Sequence, residues 1–207
     1  MEALERISLE MDEQPRLLYV QTFGCQMNEY DSLRVQRILA HKGYRPTTEL
    51  ALADVIFLNT CSVREKAEQK VYSFLGRLRR HKLLNPRLKI VVAGCVAQQQ
   101  GEKLLQRFDY LDLVVGTRGI PAIADLLDAV NEKCRRLAHL PDRSDDGKYA
   151  DIFQQSTVIP SEVAAPVTIM QGCNNFCTYC IVPHVRGTEQ SRPVAEIMAE
   201  VERLVAG

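Results

Sequence analysis

The sequence predicts an α/β protein with a mostly parallel, doubly wound sheet, followed by the first strand and helix of a second α/β unit. Two observations predict this class. Short apolar runs of strand length alternate with stretches of helical period between residues 16 and 134, and crossover helices make a sheet largely parallel. The alternation lapses over residues 135–162, which we interpret as a linker, and resumes over residues 163–207.

The composition is that of a globular protein. The chain has 207 residues, of which 46% are hydrophobic and 25% charged, enough for one domain and part of a second. No window reaches the roughly 18 consecutive apolar residues of a membrane span, and the charged start lacks a signal-peptide core. We therefore expect a cytoplasmic protein with no membrane partner. The 26 basic and 26 acidic residues balance, which excludes a chain-wide basic field for nucleic acid.

Four strand and helix pairs are expected in the first unit. The strands LLYVQTFG, DVIFLNT, RLKIVVAG and LDLVVG occupy residues 17–24, 54–60, 87–94 and 111–116. The helices are expected over residues 28–41, 64–82, 98–108 and 120–133, the last with Pro121 in its first turn. Residues 1–15 are polar and expected to fray.

The second unit is expected to begin with the strand APVTIMQG, residues 165–172. An amphipathic helix follows from about Ser191, with Pro193 suited to its first turn. One strand and one helix cannot enclose a core, so we expect an incomplete second domain.

Three cysteines lie on one loop directly after this strand, with Cys-x3-Cys-x2-Cys spacing: Cys173, Cys177 and Cys180. Disulfides are rare in the cytosol, so metal binding is the better interpretation of seven cysteines. Three thiolates on a 4Fe–4S cluster leave one iron open to an exogenous ligand. The alternative is a zinc knuckle, for which His184 is the nearest fourth ligand.

A second trio is spread along the chain, and each member follows a predicted strand: Cys25, Cys61 and Cys95. The carboxyl ends of parallel strands share one edge of the sheet, where ligands bind in open α/β folds. Gly24 and Gly94 allow close backbone turns, and Asn59 and Thr60 are plausible turn residues. The alternative is three unrelated half-buried thiols, since free cysteine is often buried.

The Cys-x3-Cys-x-aromatic-Cys motif resembles the signature of the radical S-adenosylmethionine (SAM) enzymes. The segments TFGCQMNEYDS, ADVIFLNTCSVREKAEQKVYSFLGRL, VVAGCVAQQQGE and DLVVGTRGI resemble the N-terminal domain of the methylthiotransferases, and IVPHVRG continues the likeness after the motif. The resemblance covers residues 16–207. The QMNE and CSVREKAE stretches favour the branch that modifies isopentenylated adenosine in tRNA over the ribosomal-protein and threonylcarbamoyladenosine branches.

The resemblance implies two 4Fe–4S clusters and S-adenosyl-L-methionine as cofactors. The cluster on Cys173, Cys177 and Cys180 would generate a deoxyadenosyl radical, with Tyr179 beside the adenine of SAM. The cluster on the other trio would carry the sulfur that becomes a methylthio group at C2 of N6-isopentenyladenosine. The implied partners are the tRNA anticodon stem-loop and an electron donor.

The resemblance also implies a longer protein, because family members continue for roughly twice this length. We therefore expect this chain to be inactive alone. Two other functions stay open: an iron–sulfur binding or electron-transfer module without catalysis, and a methylthiotransferase acting on a ribosomal protein.

Several further residues have two interpretations. A basic stretch without acidic residues either contacts tRNA phosphates or forms a solvated helix face: Arg77, Arg79, Arg80, Lys82, Arg87 and Lys89. Three charged residues after Cys61 either shape the surroundings of the cluster on that cysteine or simply begin a helix: Arg64, Glu65 and Lys66. Arg186 and Gly187 match a family stretch near the radical SAM cluster, although a structural turn explains them equally well. The seventh cysteine, Cys134, is interpreted as a spare thiol.

Overall fold

The computed structural model describes residues 15–63, 65–133, 135–141 and 165–206. Most of the expected frayed N-terminus and most of the expected linker lie outside the described residues, as do Arg64 and Cys134.

Six strands form one sheet in which every neighbouring pair is parallel. They are β1 Arg16–Phe23, β2 Tyr44–Pro46, β3 Val55–Thr60, β4 Lys89–Gly94, β5 Leu113–Val115 and β6 Leu137–His139. Their spatial order is β2-β1-β3-β4-β5-β6. The predicted α/β class with a mostly parallel sheet is confirmed.

Helices cover both faces of this sheet. They are α1 Gln26–Ala40, α2 Glu65–Leu84, α3 Cys95–Gln100, α4 Glu102–Arg107 and α5 Ile123–Lys133, with 3-10 turns at Leu50–Leu52 and Thr117–Ala122. A hydrophobic core lies on each face of the sheet. Alternate residues of β3 contribute to one core or the other, because successive side chains along a strand point to opposite faces. Phe57 packs with α1 and α5, whereas Leu58 packs with α2 and α4. The sheet is therefore doubly wound.

Some elements differ from the sequence prediction. The edge strands β2 and β6 were not predicted, and β6 lies inside the stretch that we interpreted as a linker. The helix expected over residues 98–108 is divided at Gly101, whose φ is 51°. Pro121 lies in the preceding 3-10 turn rather than in the first turn of α5.

The second unit contains two short strands and two helices. They are β7 Met170–Gln171, α6 Val182–Val185, β8 Gln190–Ser191 and α7 Val194–Ala206. β7 pairs antiparallel with β8, so the cysteine loop between them is held at both ends. The strand expected over residues 165–172 was too long, since only Met170 and Gln171 pair with another strand. No described helix is long and apolar enough to cross a membrane.

Candidate functional site

One group of three cysteines lies at one edge of the sheet: Cys25, Cys61 and Cys95, called the strand-end cysteines below. Cys61 follows the last residue of β3, Cys95 follows the last residue of β4, and Cys25 lies just beyond the end of β1. The register pairs Phe23 of β1 with Thr60 of β3 and pairs Thr60 with the last residue of β4. Because adjacent strands lie about 4.8 Å apart, the three cysteine backbones are neighbours. Each cysteine follows its strand as the sequence predicted.

The three thiols differ in exposure. Cys61 and Cys95 are buried, with 0% and 3% of their surface exposed, and Cys25 is half-buried. Burial raises the pKa of Cys95, opposed by the positive charge of Arg186 and reinforced by the charge of Cys61. The Cys61 thiol therefore lies close enough to act on Cys95. Metal binding would require the thiolate form of the cysteines.

Two buried asparagines connect the loop of Cys25 to the end of β3. The Asn28 Nδ2 atom donates to Asn59 Oδ1 at 2.7 Å and to the Thr60 carbonyl at 3.1 Å. Asn59 Nδ2 donates to the Asn28 carbonyl at 2.8 Å and to Ser32 Oγ at 3.1 Å. The Cys25 thiol donates to Asn28 Oδ1 at 3.2 Å. This network fixes the first cysteine relative to the neighbouring strand.

The interpretation of Asn59 and Thr60 as turn residues was wrong. They are the last two residues of β3, and both are fully buried. The Thr60 hydroxyl donates to the Ala93 carbonyl on β4 at 2.5 Å. Both side chains therefore join strand ends beneath the cysteines.

Glycine is required where β4 ends. Gly94 has a φ of 95°, and a Cβ atom there would overlap the Thr60 carbonyl oxygen and lie 2.5 Å from Asn59 Oδ1. A Cβ atom at Gly24 would lie 2.6 Å from Asn28 Oδ1. Both glycines thus allow the close backbone approach that we expected.

The second cysteine group lies on the loop between β7 and β8. The Cys173 amide donates to the Gly187 carbonyl at 3.1 Å, and the Cys180 amide donates to the Cys177 carbonyl at 3.0 Å. Cys177 is exposed, whereas Cys173 and Cys180 are half-buried. The loop backbone is thus ordered by its own hydrogen bonds, with the thiols accessible.

Tyr179 within this loop is 90% exposed. A ring this exposed makes little contact with the rest of the loop, so packing does not account for Tyr179. Its contact with the adenine of SAM stays a prediction.

Arg186 belongs to the second unit, but its side chain extends toward the strand-end cysteines of the first unit. Its Nη1 atom lies 2.8 Å from Asp31 Oδ2 on α1, and both residues are buried. Burial alone would lower the pKa of Arg186, but the charges of Asp31 and Cys95 raise it overall, so the guanidinium stays charged. The family resemblance associated Arg186 with the radical SAM motif, whereas its side chain lies beside Asp31 and Cys95.

The donors of each cysteine group are three thiols, the ligand type that iron–sulfur clusters use. Among the described residues, no three His, Cys, Asp or Glu side chains are placed to hold one metal ion. The ring of His184, the suggested zinc ligand, packs edge-to-face on Phe176 with centroids 6.1 Å apart.

The basic stretch is partly structural. Lys82 bonds both carboxylate oxygens of Asp112 at 2.8 Å, and Lys89 lies 3.9 Å from the same group. Arg77 stacks on the Phe74 ring at 5.0 Å. Three arginines of the stretch are exposed and make no such ion pair among the described contacts: Arg79, Arg80 and Arg87.

The chain is similar to known proteins along most of its length. Residues 17–116 match a family described as "Uncharacterized protein family UPF0004". Among curated proteins, the chain is similar to several that share the name tRNA-2-methylthio-N(6)-dimethylallyladenosine synthase. It is 65% identical over 192 residues to the tRNA-2-methylthio-N(6)-dimethylallyladenosine synthase of Syntrophobacter fumaroxidans, covering 93% of this chain and 42% of the relative.

Two further relatives carry the same name. The protein of Geobacter metallireducens is 49% identical over 192 residues, which cover 93% of this chain and 43% of the relative. The protein of Desulfotalea psychrophila is 47% identical over 194 residues, which cover 92% of this chain and 42% of the relative. The chain therefore spans less than half the length of these curated relatives.

Proposed function

We propose that this chain is the cluster-binding part of an enzyme that adds a methylthio group to C2 of N6-dimethylallyladenosine beside the anticodon of tRNA. Cys25, Cys61 and Cys95 would hold one 4Fe–4S cluster, and the loop cysteines would hold the other. The names of the relatives support the tRNA substrate. SAM, an electron donor and a cytoplasmic location belong to the same proposal.

One observation carries this proposal: three cysteines follow three adjacent parallel strands at the ligand-binding edge of the sheet. The loop cysteines form a second group of three. Each group supplies three ligands for the four irons of a cubane. One iron of each cluster would therefore stay open to another ligand.

The residues of this chain would orient and shield the bound groups. When bound, the two clusters and SAM would supply the radical and the sulfur. The Asn28–Asn59 network would fix Cys25, and burial of Cys61 and Cys95 would exclude water from one side of the site. Exposure of Cys177 and Tyr179 leaves the loop open to a small molecule.

Anaerobic reconstitution with iron and sulfide tests the cluster assignment. The chain should bind about eight irons and as many sulfides, because each cubane holds four of each. C25A/C61A/C95A and C173A/C177A/C180A should each keep about half. C134A is the matched control and should keep all. Zinc without sulfide, or unchanged iron in either triple variant, would contradict the assignment.

Addition of SAM separates the enzyme from an electron-transfer module. SAM should change the electron paramagnetic resonance spectrum of reduced C25A/C61A/C95A, which retains the loop cluster. It should leave the spectrum of C173A/C177A/C180A unchanged. A loaded loop cluster that does not respond to SAM would favour the module without catalysis.

Deletion of the gene tests the substrate. Mass spectrometry should show that tRNA loses its methylthio group, with the dimethylallyl group retained. Loss of the modification from a ribosomal protein, with tRNA unchanged, would select the other branch of the family.

A further inference from the structure

The pair of Arg186 and Asp31 lies at the meeting point of the two cysteine groups. Asp31 is on α1, the helix whose N-cap is Cys25, and Arg186 acts on the charge of Cys95. The next residue, Gly187, accepts the hydrogen bond of the Cys173 amide. The Arg186–Gly187 dipeptide therefore contacts the first group through its side chain and the second through its backbone.

The packing around this dipeptide keeps it in place. The Thr117 hydroxyl, next to β5, donates to the Val185 carbonyl at 2.5 Å. Arg186 is 5% exposed and Asp31 is 4% exposed. A buried ion pair that loses one member leaves an uncompensated charge in a region of low dielectric constant.

The Arg186 guanidinium is shared between Asp31 and Cys95. Its Nη1 atom lies 2.8 Å from Asp31 Oδ2, and the guanidinium also hydrogen-bonds the side chains of Asp31 and Cys95. A guanidinium carries five N–H donors, so it can serve both partners and still offer a donor to a further acceptor at the site.

We propose that Arg186 and Asp31 are positioning residues that set the reduction potential of the cluster on the strand-end cysteines, with Arg186 supplying charge and hydrogen bonds to its sulfur atoms. The proposal rests on the function proposed above. Reduction potentials of iron–sulfur clusters depend on net charge and on hydrogen bonds to sulfur. The same dipeptide fixes the spatial relation of the two clusters through the Gly187 carbonyl.

Redox titration of the full chain carrying C173A/C177A/C180A tests this proposal, because only the strand-end cluster remains. These three side chains are half-buried or exposed, so alanine leaves no deep cavity. In this background R186Q leaves Asp31 unpaired, and its negative charge should shift the midpoint to a more negative potential. D31N leaves Arg186 unpaired and should shift the midpoint to a more positive one.

The double variant D31N/R186Q should return the midpoint toward the parent value. R87Q is the matched control, since Arg87 is an exposed arginine that precedes β4, whereas Cys95 follows the opposite end of that strand. The proposal is wrong if R186Q and D31N shift the midpoint in the same direction, or by no more than R87Q does. If R186Q binds no iron, R186K is the deciding variant. Iron retained by R186K supports the proposal, and a loss of iron equal to that in R186Q contradicts it. A parent chain without a cluster instead contradicts the proposed function.

Discussion

Asn28, in the first turn of α1, and Asn59, near the end of β3, exchange hydrogen bonds. The Asn28 side chain donates to the Asn59 side chain at 2.7 Å, and Asn59 donates back to the Asn28 carbonyl at 2.8 Å. Both residues are fully buried. Cys25 is therefore held by a network of buried polar side chains rather than by apolar packing. Such a network specifies a single arrangement only when all of its hydrogen bonds are made.

Substitution of Asn59 should destabilise the fold. N59A removes the Asn59 Oδ1 acceptor of Asn28 Nδ2 and the donor to the Asn28 carbonyl, so buried polar groups lose partners at a cost of about 2–4 kcal/mol. Urea unfolding of the cluster-free chain measures this. N85A, at an exposed asparagine, should change the free energy of unfolding by less than about 0.5 kcal/mol. Equal effects of the two variants would show that the network contributes nothing.

Alanine at Gly94 should destabilise the fold, whereas alanine at Gly76 should stabilise it. Gly94 has a positive φ and contacts the Thr60 carbonyl, so a Cβ atom adds about 1–3 kcal/mol of backbone strain as well as a clash. Gly76 lies within α2 with open space around its Cα, so alanine should add about 0.5–1 kcal/mol of stability. Thermal unfolding of both variants checks the opposite signs; a tolerated G94A would contradict the geometry.

Tyr72 should make stability fall at alkaline pH. Burial, reinforced by the hydrogen bond that its hydroxyl donates to Glu68 at 2.6 Å, raises the pKa of Tyr72 to about 12 from 10.0. The folded state thus favours the neutral phenol, so this contribution is complete below pH 10 and is lost as pH rises toward 12. Urea midpoints across that interval should fall less steeply in Y72F than in the parent. Y179F, at the exposed tyrosine, should follow the parent curve.

Asp112 should be important for stability through its contacts with α2 and β4. Its carboxylate accepts from Lys82 at 2.8 Å and from the Ile90 amide at 2.8 Å. D112A leaves the amide unsatisfied and should cost about 2–3 kcal/mol. D112N retains an acceptor for the amide and should cost less. Urea unfolding that ranks D112N below D112A in stability would contradict this account.

The strands that lie inside the sheet could be predicted, because burial on both faces gives continuous apolar runs. Val55–Thr60 and Lys89–Gly94 belong to this class, and with them the positions of Cys61 and Cys95. The edge strands Tyr44–Pro46 and Leu137–His139 are too short to show any period.

The polar part of the site could not be predicted. Asparagine alone favours turns, and only the neighbouring strand explains why Asn59 lies buried in β3. Asp31 and Arg186 are far apart in the chain, and no local pattern connects them. Long-range polar pairs of this kind require the assembled sheet edge.

The short ladder of β7 and β8 has a consequence for metal capture. It fixes both ends of the segment that carries Cys173, Cys177 and Cys180. Much of the chain entropy for closing that segment is therefore lost during folding rather than when iron binds. Fraying of the ladder would restore that entropy, so iron release from the loop should follow the opening of Met170–Gln171 from Gln190–Ser191.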